Sequence, residues 1–415
     1  MIYPKKLNPF RVTKSTAIFG SVFTFLVMYN LADNLAPRGV FYWREIYAVV
    51  YLGILITSLI SFFLCRNSKA LPPQYFLVTL FIMVVGLFAL LPGIEWPLKY
   101  IVGDLAIISM LFIYGTIAKP LFSTFNGKNL ILLSGMFVFL SLVSYLVMSF
   151  GLNQQYLHGN RFDPPHIFAI AGLSALILSS KGLSFFFVTS LFILTGILVL
   201  ACQWRANILF FIVGAIPIGV VLMRRNIFLF WIIFFSIIIF LSIYIEPIRE
   251  NIYSIAAGSR FAELASSGED TSFFNRLLEV KDVWLAMSTE NNVLRWLFGF
   301  GHGAMYPTVF SYPEPNVFSG GRVHNIHIHI FLWLFRYGFF GVGVYLFFVI
   351  KVLIEYYFFL IHTEKYQVID GFFIISAMML VIKSFFYTPI NDPVNLLLIV
   401  GFFYMSWKRK TMNWN

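Results

Sequence analysis

The length of its apolar runs decides what this chain can fold into. A helix needs about 20 mostly apolar residues to cross the hydrocarbon core of a bilayer. Runs of that order fall near 15–32, 46–64, 74–91, 100–118, 129–150, 165–180, 184–201, 206–223, 227–245, 337–360, 369–387 and 393–407. The chain reads as an all-α polytopic membrane protein with about 12 transmembrane helices, since a lipid-exposed span must satisfy its own backbone. Charged side chains make up 11% of the 415 residues, against about 25% in a soluble domain. A water-soluble globule is excluded on that count.

The lysines orient the bundle. Cytoplasmic loops carry an excess of Lys and Arg. With both termini inside, the inner segments hold Lys5, Lys6, Arg11, Lys14, Arg66, Lys69, Lys119, Lys128, Lys181, Arg224, Arg225, Lys351, Lys365, Lys408, Arg409 and Lys410, and the short outer loops hold only Arg38, Arg44, Lys99, Arg161 and Arg205. The net charge of +11 is then largely topogenic and calls for no nucleic acid. No small-residue cleavage pattern follows the first run, so the first helix is expected to be a retained anchor. Cys65 and Cys202 fall near opposite faces, and no disulfide is expected. The predicted layout is 1–245 with transmembrane helices 1–9, 246–324 as a large periplasmic loop, and 325–415 with helices 10–12.

That loop is too long to be a bare connector. Within it, "FFNRLLEVKDVWLAM" places Leu277, Val280, Val283, Trp284 and Met287 along one stripe of an amphipathic helix, with Glu279, Lys281 and Asp282 elsewhere. Turn-rich "GFGHG" and "PTVFSYPEPN" follow.

On the outer side the cations change type. Arg38, Arg44, Arg161, Arg205, Arg249, Arg260, Arg276, Arg295, Arg322 and Arg336 outnumber Lys99 and Lys281 there. A topogenic anchor needs only charge, whereas a planar guanidinium fork grips phosphate or carboxylate through paired hydrogen bonds. Arg38, Arg44 and Arg249 read as snorkelling to headgroups. Arg161, in "HGNRFDPPHIFA", is divided between a local pair with Asp163 and ligand binding. Arg205, in "ACQWRANILFF", stands between two apolar runs and reads as functional. Lys383 lies inside a span and could pair with Asp392 or Asp104, both it and Asp104 being candidate cavity residues.

The stretch "GRVHNIHIHIFLWLFRYGFFG" sets His324, His327 and His329 at the mouth of an apolar run. His324 and His327, three apart, would share a helix face, with His329 pointing elsewhere. No carboxylate or cysteine stands at helical spacing beside them, so no metal site is expected.

"NRLLEVKDVW", "LRWLFGFGHG" and "VHNIHIHIFLWLFRYGFFGVGVYLF" together resemble the signature region of the O-antigen polymerase and O-antigen ligase superfamily. Arg276, Trp284, Gly299, Gly301, His324, Asn325, Gly338 and Gly341 follow the family's order and approximate spacing. Upstream, "NRFDPPHIFA" resembles the family's Arg–Pro–Asn helix entry, with His166 where Asn is common; "CQWRANIL" keeps only Arg205 of a Ser-Arg-Gly element. The resemblance covers about residues 155–345.

The resemblance implies a type-C glycosyltransferase-like helical scaffold and an inverting, metal-independent glycosyl transfer that uses no cofactor. The donor would be an undecaprenyl-pyrophosphate-linked oligosaccharide, with the active site facing the periplasm from the bacterial inner membrane. His324 would be the general base, and Arg205 and Arg276 would hold the departing pyrophosphate. Arg161, Arg322, Asn325, His327 and Lys383 would bind substrate. A chain-length regulator and a flippase are implied as partners. Polymerase is favoured over ligase, whose acceptor would be lipid A–core, because Arg205 has lost its Ser-Arg-Gly context and the 155–166 entry diverges. A secondary transporter is the reading from another class; polar residues clustered at the rim, away from the midplane, argue against it.

Overall fold

A computed structural model describes residues 71–90, 96–123, 125–151, 166–201, 205–224, 271–289, 292–311, 321–324, 326–385 and 393–412, with scattered helical positions before residue 64. Among them are eleven α-helices and one two-residue β-ladder. They are α1 (Pro73–Phe88), α2 (Leu98–Ser123), α3 (Gly127–Gly151), α4 (His166–Ser179), α5 (Gly182–Ala201), α6 (Arg205–Arg224), α7 (Thr271–Thr289), α8 (Val293–Phe298), β1 (Tyr306–Pro307), β2 (Arg322–Val323), α9 (His329–Ile361), α10 (Val368–Lys383) and α11 (Pro393–Met412). Nine of these helices fall on expected apolar runs. The runs at 15–32 and 227–245 lie outside the described residues, and that at 46–64 lies mostly so.

Among the described residues, two helices are long and apolar enough to cross a membrane, Leu98–Phe122 in α2 and His329–Ile361 in α9. At the other extreme, α4 has 14 residues and would extend only about 21 Å. It is apolar all round and buried all round, from Ile167 to Ile177, the behaviour expected of a helix with no polar face. Its neighbours are α3, α5, α6 and α10. Small side chains let them close in. A Cβ on Gly172 would sit 2.0 Å from Ser134 Oγ, and one on Gly214 of α6 would sit 2.5 Å from Ile170. The main core gathers here, with Phe137, Phe168, Phe372 and Phe373 among its aromatics. Outside it, large apolar side chains face outward, including Leu132, Leu183 and Phe347, each more than half exposed.

The outer surface of α7 is not the expected one. Leu277 and Trp284 are exposed, while Glu279 and Asp282 are fully buried beside Val283, Ala286 and Met287. The helix is turned so that two carboxylates face inward, and each meets unpaired backbone donors there. Asp282 Oδ1 accepts from the amides of Val309 and Phe310 at 3.0 and 2.8 Å. Its Oδ2 accepts from the amide and hydroxyl of Ser311 at 3.0 and 2.6 Å. A turn-rich loop has amides without ladder partners, and buried ones must find acceptors. That demand outweighs the pull of an uninterrupted apolar stripe.

Helix α9 bends at Gly338, which has φ 63° and ψ −160°. The bend interrupts the i→i+4 ladder. The carbonyls of Phe335 and Arg336 accept from the amides of Phe300 and Gly301 at 2.8 and 2.9 Å. The two backbones touch: a Cβ on Gly338 would lie 2.3 Å from the Leu297 carbonyl carbon, and one on Gly299 would lie 2.4 Å from that of Arg336. Only glycine fits at either place. The kink therefore docks "GFGHG" onto the N-terminal part of α9.

Candidate active site

The docked glycine loop organises a polar cluster. Asp104 sits on α2, six residues past Leu98, and is 2% exposed. Its Oδ2 accepts from the Gly303 amide at 2.7 Å. Its Oδ1 accepts from Arg336 Nη1, on α9, at 2.8 Å. The other arm of the guanidinium, Nη2, donates to the His324 carbonyl oxygen at 3.0 Å and lies 2.9 Å from His324 Nε2. His324 Nε2 stands 3.6 Å from Asp104 Oδ1.

A guanidinium can only donate. Its Nη2 lies against both nitrogens of the His324 ring, 3.3 Å from Nδ1 and 2.9 Å from Nε2. The cation between Asp104 and His324 is the protein's own Arg336. The pair of unit charges on Asp104 and Arg336 leaves His324 in a locally balanced field, and its side chain keeps 13% of its exposure.

Each neighbour fixes the ring further. Tyr100 stacks on it with centroids 4.3 Å apart and planes 15° apart. The exposed Lys99 stands 4.7 Å from the Tyr100 centroid. The β-ladder, with Tyr306 opposite Val323 and Pro307 opposite Arg322, sets the chain just before His324. Arg322 is exposed on β2, 5.7 Å from the Trp96 ring.

Two more histidines close the cluster without joining it. His302, in the glycine loop, is buried. Its Nε2 donates to the Met83 carbonyl at 3.2 Å, and its Nδ1 faces the Tyr337 hydroxyl at 3.3 Å. Burial pushes its pKa below the usual imidazole value, opposed by the nearby Asp104 charge. His329 is buried at the start of α9 and accepts from Trp333 Nε1 at 2.6 Å.

The expected residues are divided by this geometry. His324 is at the centre. His327 is not its helical partner, because α9 begins at His329, and His324, His327 and Ile328 lie in bends before it beside the buried Ile326. Glu279 of α7 holds His327 instead, accepting from its amide at 3.0 Å and meeting its Nδ1 at 2.7 Å. His327 is thus a tie between α7 and the loop. Arg276 lies half-buried on α7, one turn before Glu279. Lys383 ends α10 and is buried; the next residue, Ser384, accepts the His329 amide at 2.9 Å and bonds the Tyr345 hydroxyl. Asp104, one of its two expected partners, is taken by Arg336; Asp392, the other, lies outside the described residues. Arg161 and Asn325 also lie outside them, and Arg205 is described only as the first residue of α6.

Arg336 was noted in the sequence only as one outer arginine among many. The signal that singles it out is an arginine eight positions into an apolar helix, matched by an aspartate inside another.

The chain is therefore a predominantly helical protein, with a buried Arg–Asp–His cluster where a kinked, membrane-length helix meets a glycine loop. Comparison with known protein families, characterised proteins and solved structures finds no match to it.

Proposed function

We propose that the chain is a multi-span protein of a bacterial inner membrane that polymerises O-antigen or a related surface glycan. It would transfer the growing glycan from undecaprenyl pyrophosphate to the next lipid-linked repeat unit on the periplasmic side. The observation that carries this reading is convergence. Gly299, Gly301, His324 and Gly338, far apart in sequence and each part of the family-like motif order, meet within one cluster around Arg336. The outward-facing Leu132, Leu183 and Phe347 favour a lipid surround, because a water-soluble monomer rarely exposes such patches.

In this reading the acceptor hydroxyl attacks the anomeric carbon of the donor sugar with inversion, as the bond to the pyrophosphate oxygen breaks. The hydroxyl proton passes to the His324 imidazole, whose accepting nitrogen must first release Arg336 Nη2. Imidazole suits a base working near neutral pH. Asp104, 3.6 Å away, stabilises the imidazolium that forms. Arg336 is a positioning residue: it is held by Asp104 and aims the ring. The leaving pyrophosphate takes the bonding electrons, and Arg205 and Arg276 stabilise its charge, with Arg322 exposed nearby for incoming phosphate.

Lipopolysaccharide from a deletion strain tests the assignment. A single repeat unit on core supports the polymerase. Core with no O-antigen, while long chains stay on the lipid carrier, would make the protein a ligase. An unchanged ladder would reject both.

A further inference from the structure

A second feature lies outside the His324 cluster. A groove of about 360 Å³ runs between α1, α9, α10 and α11 and touches α9 from His329 to Lys351. That interval includes the bend at Gly338, and its straight part from there to Lys351 is roughly 20 Å of helix at 1.5 Å per residue. Its floor is apolar, formed by side chains such as Val78, Ile82, Val344, Phe348, Ile399 and Phe403.

Polar groups collect at its two ends, and the ends differ. Near His329 the lining hydroxyls of Tyr345 and Ser384 bond each other, and His329 takes the Trp333 indole; these are neutral, internally matched groups. At the far end stand Lys351 and Lys410, both cations. Lys351 is on the body of α9, not on a loop, and its side chain is 21% exposed. Among the described residues its carboxylate neighbour is Glu355, 3.9 Å away. Both oxygens of Glu355 are already engaged, one by Ser406 Oγ at 2.6 Å and the other by Arg409. A largely buried ammonium with so weak a partner is costly. An anion seated between the two lysines would offset that cost.

We propose that this groove binds an anionic glycerophospholipid. Its phosphate would sit between Lys351 and Lys410, and one acyl chain would lie along the apolar floor. Basic pockets between spanning helices suit anionic headgroups in this way. The lipid belongs to the leaflet on the Lys351 side, opposite the His324 cluster. Charge complementarity selects this occupant: a donor lipid with its pyrophosphate at the His324 cluster would bring only its uncharged tail here and no anion to Lys351 and Lys410. The bound lipid would join the last turn of α11 to the middle of α9. The proposal does not rest on the transferase reading.

Trp407 lines the groove and supplies the readout. Purified full-length protein is titrated with phosphatidylglycerol or phosphatidylcholine carrying brominated acyl chains, and Trp407 quenching is taken as the difference between wild type and Trp407→Phe. Phosphatidylglycerol should bind on the order of tenfold or more tightly than phosphatidylcholine. The double variant Lys351→Gln/Lys410→Gln should lose that preference, and Lys408→Gln, on the same helix but not on the lining, should keep it. Val344→Trp fills the floor with both lysines intact and should weaken quenching by either lipid. Equal affinity for the two lipids would overturn the proposal. So would loss of preference in Lys408→Gln as large as in the double variant, or displacement by uncharged polyprenol as effective as by phosphatidylglycerol.

Discussion

Two arginines, Arg336 and Arg409, anchor the two ends of α9, and their surroundings differ in kind. Arg409 of α11 bonds Asp370 of α10 at 2.9 Å and Glu355 of α9, with the Tyr366 ring 4.9 Å away. Two carboxylates and an aromatic face enclose it, and its side chain is 20% exposed. Arg336 bonds the Asp104 carboxylate, is 4% exposed, and turns its second arm to a histidine ring. The first cluster is saturated and ties three helices together. The second holds an imidazole, partly open to the outside, against a buried ion pair. Similar ingredients give a fastener at one end and a poised base at the other.

Separating the two halves of the buried pair should have the largest effect on folding. Arg336→Met leaves Asp104 buried and uncompensated, and breaking such a pair costs about 3–5 kcal/mol. The double variant Asp104→Leu/Arg336→Met should recover much of the thermal midpoint, because replacing both charges by apolar groups is often close to neutral. It should recover no transferase activity. A double variant as unstable as the single one would mean that the pair holds the fold by something besides its charges.

His324→Ala should lower turnover by roughly 10²–10⁴, the range for losing a general base, with donor binding and thermal midpoint near wild type. Arg205→Lys and Arg276→Lys should each cost about 10²–10³ in rate if forked geometry holds the leaving group. Next in size, Gly338→Ala forces a side chain into a positive-φ position and against the Leu297 backbone. It should destabilise by about 1–3 kcal/mol or more, seen as reduced yield of folded protein. Arg409→Gln should lose about 1–3 kcal/mol of stability and leave the turnover of the folded fraction unchanged. If it also lowered turnover, the two ends of α9 would not be separable as fastener and base.

The smallest effect concerns pH. His302 has its folded pKa held below the unfolded value of 6.5 by burial. Its contribution to stability is fully present above pH 6.5 and is lost as pH falls from there through the lowered folded value. Thermal midpoints should therefore decline below pH 6.5, and His302→Gln should flatten that decline.

Much of the helical plan was legible in the sequence, because apolarity sustained over about 20 residues needs no long-range information. The facing of α7 was not. Glu279 and Asp282 looked like the solvated side of an amphipathic helix, and the amides that draw them inward belong to residues 309–311 and 327. Nor was the central pair. Asp104 and Arg336 are 232 positions apart, and no local pattern links them. Each was visible only as an ionisable residue out of place in an apolar run, with nothing to say that they were partners.

The most direct test is single-turnover transfer from a polyprenyl-pyrophosphate-linked glycan, measured on purified wild type, His324→Ala and Arg409→Gln at matched folded amounts. The account predicts that His324→Ala binds donor normally and transfers about 10²–10⁴ times more slowly, while Arg409→Gln transfers at the wild-type rate. Wild-type transfer by His324→Ala would contradict it.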